Sequence, residues 1–151
     1  SDEVKFLNNS DRAITKVGAN VHQKQIIDFI DKSIGKRVND GICFELINEA
    51  YKQWDKSWFS KVNPYGELIN RSDIQPGDVI LTSGGVDVAG KSFLSHIVIV
   101  YRIDADGSVW VANQNVCANT LRDSKVVITG FDFGVWFAAS SKISIKCYRA
   151  R

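Results

Sequence analysis

The apolar residues of this 151-residue chain follow one period before Asp78 and another after it. Before Asp78 the spacing is helical. In "NVHQKQIIDFIDKSI" (20–34), Ile26, Ile27, Ile30 and Ile34 make a stripe at i, i+4 spacing. Asn20 stands where a cap belongs, and Gln23 follows three residues later as in a capping box. Gly35 then occupies the place where a left-handed residue closes a helix. A second helix starts near Asp40-Gly41 and puts Cys43, Leu46, Ile47, Ala50, Tyr51 and Trp54 on one face. Residues 55–77 hold both prolines and several turn formers, and read as a loop with room for a short helical turn.

From Asp78 the pattern is that of strands. "DVILTS", "SHIVIVYRI", "SVWVANQN", "KVVIT" and "KISIKCYRA" are β-rich runs divided by turn residues, and "DADG" joins the second to the third as a hairpin. Helices first and strands afterwards predict an α+β domain, with N-terminal helices packed on an antiparallel sheet of about five strands. Residues 1–19 are polar and weakly patterned, an N-terminal arm; residues 20–151 form a single domain, as a chain of this length suggests. The glycine-rich "SGGVDVAGKSF" (83–93) reads as a surface loop or site rim. A phosphate cradle would need a strand–loop–helix ending in lysine and serine or threonine.

Composition narrows the function classes. A net charge of +2, with Lys and Arg scattered, gives no basic patch for nucleic acid. The apolar run "FLSHIVIVY" is far short of the roughly 20 residues of a membrane span. Three cysteines and two histidines without ligand spacing predict neither a metal site nor a cofactor. The chain starts at Ser1 and contains no Met, as in a processed or trimmed product; that leaves room for a removed leader and an exported location.

Within these bounds, Cys43 is the residue with chemistry to offer. It falls in the first turn of its helix, where unpaired N–H groups favour a thiolate, and it also opens the apolar stripe that presses the helix onto the sheet. His96 opens the strand "SHIVIVYRI". Alternation puts His96, Val98, Val100 and Arg102 on one face, and Ile97, Ile99, Tyr101 and Ile103 on the other. A two- or four-residue turn brings Asn113 and Asn115, with Val109 and Val111, onto the face of His96; a three-residue turn would invert that. An asparagine oxygen there would fix the imidazole tautomer.

"GICFELINEA", "IQPGDVI", "SHIVIVYRIDADGSVWVANQN" and the terminal "ISIKCYRA", in that order over about residues 20–150, resemble the cysteine, histidine-dependent amidohydrolases/peptidases (CHAP), a papain-like group related to the NlpC-type peptidases. The resemblance implies a papain-like fold and amide hydrolysis, often of peptidoglycan peptides. It assigns Cys43 as nucleophile, His96 as general base and acid, and Asn113 as the residue orienting the imidazole, with a supporting role for Asn115. Many members carry an acidic residue where Asn113 falls, which favours an alternative: a catalytically silent module that binds peptides or glycans. An acyltransferase using the same triad is a third reading. Elsewhere, His22 reads as surface, Trp54, Trp58 and Phe59 as cover for the helix–sheet junction, "FGVWFAA" (133–139) as core or sheet edge with Trp136 able to line a cleft, and Cys117 as an inert thiol, the alternatives being a second reactive thiol or a partner for Cys147.

Overall fold

A computed structural model describes residues 20–52, 65–83, 95–114, 124–131 and 144–151. The readings of the 1–19 arm, Trp54, Trp58, Phe59, residues 84–93, Asn115, Cys117 and 133–139 lie outside the described residues.

Helix α1 (Val21–Ser33) forms where its spacing predicts, and its capping box is complete. The Gln23 amide donates to Asn20 Oδ1 at 2.9 Å, and the Asn20 amide donates to Gln23 Oε1 at 2.8 Å. Both bonds satisfy N–H groups that the first turn leaves without partners. Gly35, at φ +80°, turns the chain out of the helix and gives its amide to the Val126 carbonyl, tying the helix end to the sheet. Helix α2 (Cys43–Tyr51) buries Cys43, Leu46, Ile47, Ala50 and Tyr51. His22 is half-buried rather than a surface residue.

The strands are β1 (Glu67–Ile69), β2 (Val79–Ser83), β3 (Ser95–Ile103), β4 (Val109–Asn113), β5 (Val127–Phe131) and β6 (Ser144–Arg149). They form one antiparallel sheet in the order β1-β6-β2-β3-β4-β5. The architecture is therefore α+β as expected, with six strands among the described residues instead of about five. The added strand, β1, lies in the segment read as a loop; a 3-10 turn over Arg71–Asp73 follows it. Among the described residues no helix is long and apolar enough to cross a membrane.

Both faces of the sheet are buried. Ile97, Ile99 and Tyr101 of β3 pack with Ile26, Ile30, Leu46 and Ile47 of the helices, each fully buried aliphatic contributing about 2 kcal/mol. The opposite face buries Ile80, Val98, Val100 and Val111. At Tyr101 a β-bulge shifts the β3–β4 register. Val100 pairs with Val111, but Arg102 pairs with Trp110 and Ile103 with Val109. This corrects the alternation expected beyond Tyr101. Arg102 shares the helix-side face with Trp110, its guanidinium 5.4 Å from the indole centre, and Ile103 joins Val109 on the other face.

The "PGD" stretch shows why those residues are needed. Gly77 sits at φ +95°, and a Cβ there would lie 2.7 Å from the Gln23 Cα. Its amide donates to the Val100 carbonyl at 2.7 Å, and the Val100 amide donates to the Asp78 carbonyl at 2.8 Å. The chain thus enters β2 pressed against the first turn of α1. Gly77→Ala combines a left-handed backbone with a clash against main chain. It should cost about 2–3 kcal/mol in urea unfolding. Unchanged stability would mean that α1 can move aside.

Candidate active site

Cys43 is the first residue of α2, and its side chain belongs to the cluster between the helices and the sheet. It is only 6% exposed. Burial raises its thiol pKa above the ordinary cysteine value of 9.0, while hydrogen bonds from the backbone amides of Ile97, Phe44 and Cys43 itself pull the other way. Two of those amides belong to the first helical turn. The third belongs to β3, at the peptide that joins His96 to Ile97.

The carbonyl of that peptide, His96 O, accepts from Thr82 Oγ1 of β2 at 3.0 Å. In an extended strand the C=O and N–H of one peptide point to opposite sides. The Ile97 N–H therefore points to the side of β3 that faces β4. The β3–β4 register is established from Ile99↔Ala112 onward, so this amide lies where the two strands begin to part.

The His96 imidazole comes to the same end of the sheet. Its Nε2 lies 3.3 Å from Asn113 Oδ1. The side-chain amide of Asn113 is oriented by its other end: Nδ2 donates to Thr129 Oγ1 at 3.2 Å and to the Val127 carbonyl at 3.5 Å. A carbonyl can only accept, so Oδ1 is the atom turned to the imidazole, and Nε2 is the nitrogen that donates. In the neutral ring the lone pair then sits on Nδ1. His96 is 7% exposed and Asn113 is fully buried.

Alternation sends Ile97 to the helix side and His96, with Val98 and Val100, to the other. Thiol and imidazole are thus not stacked on one sheet face. Cys43 packs from the helix side, beside the amide of Ile97, the residue after the one that carries the imidazole. Asn113 shares the face of His96 as expected, since its neighbour Val111 pairs with Val100.

Four contributors escaped sequence reasoning. Thr129 holds the Asn113 amide; it is the one hydroxyl residue of "VITGF", but only the β4–β5 register reveals its role. Thr82 fixes the His96 carbonyl. Gln114 is fully buried and binds the loop before α2. Tyr65 is half-buried near the thiol: burial first, then Tyr148 and Cys43, raise its phenol pKa. Cys147 is a free, buried thiol on the opposite sheet face, its pKa pushed up to about 11 by burial and by Asp78. Among the described residues no group of three or more His, Cys, Asp or Glu side chains could hold a metal ion.

No protein-family model, curated protein or solved structure matches the chain.

Proposed function

We propose that the chain is a cysteine-dependent amide hydrolase, a peptidase or amidase with a papain-like site, and that its substrates are peptides such as those of cell walls. The observation that carries this reading is the Asn113-oriented imidazole of His96, one residue before the β3 amide that meets the Cys43 sulfur. In the proposed reaction, the His96 imidazole would take the thiol proton, at the end of β3 to which the two groups come from different faces, as the sulfur attacks the substrate carbonyl. First-turn N–H groups of α2 hold the resulting oxyanion, and the imidazolium returns the proton to the leaving amine. Water then cleaves the thioester, with His96 again as base. Asn115, two residues beyond Asn113, is a candidate second orienting group.

Because burial raises the Cys43 pKa, the resting sulfur is a thiol at neutral pH and depends on the base for its reactivity. The sign follows: raising a thiol pKa moves its thiolate to more alkaline solution. Alkylation of Cys43 by iodoacetamide should therefore climb through pH 9 and beyond, with no plateau in acid. Exposure to p-nitrophenyl acetate should leave an acetyl group on Cys43, found by peptide mass spectrometry. An acid plateau would replace general-base activation with a preformed ion pair. Acetylation of Cys117 or Cys147 without Cys43 would sink the hydrolase reading.

The burial of all three side chains favours a second reading, a binding module that keeps the arrangement without the reaction. An amide at Asn113, which stabilises an imidazolium less than a carboxylate would, points the same way. Binding of a peptidoglycan peptide with no turnover and no acyl-enzyme would select it.

A further inference from the structure

Asn113 and Gln114 are consecutive residues at the end of β4, and they serve opposite sides of the sheet. Asn113 holds the imidazole of His96. Gln114, fully buried, holds the loop that leads into α2. Its Oε1 accepts from the Val38 amide at 2.6 Å, and its Nε2 donates to the carbonyls of Val38 at 3.3 Å and Ile42 at 3.2 Å. Ile42 is the residue before Cys43 and caps α2 without a side-chain hydrogen bond. The turn it closes passes through Asn39 and Gly41, both at positive φ, and is tied to the sheet by Gln114.

We infer that Gln114 is a positioning residue that fixes the Cys43 thiol relative to the His96 imidazole, a role that rests on the reading of Cys43 as nucleophile. One strand end carries both holders. Consecutive Cα atoms are about 3.8 Å apart across a planar peptide, so β4 sets the separation of base and thiol through a single rigid unit. A shift of about 1 Å in such a separation is enough to cost about a hundredfold in rate.

Gln114→Met keeps the length of the side chain and removes all three hydrogen bonds. A buried thiol reacts through local opening, so iodoacetamide labelling of Cys43 in the native protein should rise about tenfold, equivalent to about 1.4 kcal/mol. Cys147, buried in the other face, should label at its original rate. With p-nitrophenyl acetate, kcat should fall about tenfold while KM stays within about twofold. An unchanged Cys43 rate, or a parallel rise at Cys147 that signals general loosening, would overturn the proposal. If the variant does not fold, hydrogen exchange on the wild-type chain decides: the Val38 amide should be protected like that of Val111, and exchange at a free-loop rate overturns the clamp. A wild-type chain that never turns over the ester, with Cys43 labelling still raised by Gln114→Met, would remove the hydrolase reading and leave the clamp standing.

Discussion

Asp78→Ala is expected to lower stability by about 3–5 kcal/mol, the cost of breaking a buried ion pair by removing one partner. Asp78 is completely buried, and its carboxylate is the meeting point of three elements. Oδ1 accepts from Gln23 Nε2 of α1 at 2.9 Å and from Arg149 Nε of β6 at 3.0 Å; Oδ2 accepts from the Gln75 amide at 2.7 Å and Arg149 Nη2 at 2.8 Å. Arg149 completes its fork with a bond from Nη2 to the Asp73 carbonyl at 2.7 Å. Alanine would leave a buried guanidinium without its counter-ion and a buried Gln23 amide without that acceptor. For a chain of this size the loss corresponds to a melting temperature lower by about 10 °C. The pair Asp78→Leu with Arg149→Met removes both charges together and should recover most of the loss, because the desolvation cost disappears with the attraction. Chemical unfolding of the single and double variants tests both statements. A single variant within about 1 kcal/mol of the parent would mean that water reaches the pair.

Asp78 also marks the reach of sequence reasoning. "PGD" was visible as a stretch, but its partner Arg149 stands 71 residues away, and no local pattern connects them. The contrast with α1 is physical. Its cap, capping box and apolar stripe all operate within four residues, so the sequence spells them out. Strand β1 has three residues, too few for alternation to show, and exists because Glu67, Leu68 and Ile69 find Arg149, Tyr148 and Cys147 across the ladder.

Asn113 was placed on the correct face through two shifts that cancel. The Asp104 amide donates to the Ser108 carbonyl, and the Gly107 amide donates to the Asp104 carbonyl, so three residues form the turn. A three-residue turn alone would put Asn113 opposite to His96. The bulge at Tyr101 adds a residue to β3 and restores the original parity. Neither event has a signature in "SHIVIVYRIDADGSVWVANQN". The relation of Cys43 to His96 was likewise only half legible. The apolar stripe foretold that α2 would press its first residue onto the sheet. It could not foretell that the thiol would come beside the Ile97 amide, because that depends on how α2 meets β3.

Cys43→Ala should reduce amide or ester hydrolysis by about 10⁴-fold or more, leaving only what binding and oxyanion contacts supply. The substitution removes one small buried side chain from the helix–sheet cluster, so the fold should lose no more than about 1–2 kcal/mol and the comparison stays fair. Asn113→Ala tests the other half of the site. It takes away the acceptor at 3.3 Å from Nε2, and with it the contact by which Asn113 orients the ring, while Cys43 and its helix are untouched. A misaligned base costs about a hundredfold, so the loss should fall in kcat and be smaller than that of Cys43→Ala. Combining the two should cost little beyond Cys43→Ala alone, since a base without its nucleophile has nothing to activate. Cys43→Ala with undiminished hydrolysis would end the proposal for this site. Additive losses in the double variant would mean instead that Cys43 and His96 act independently, and that the Asn113–His96 contact serves the fold.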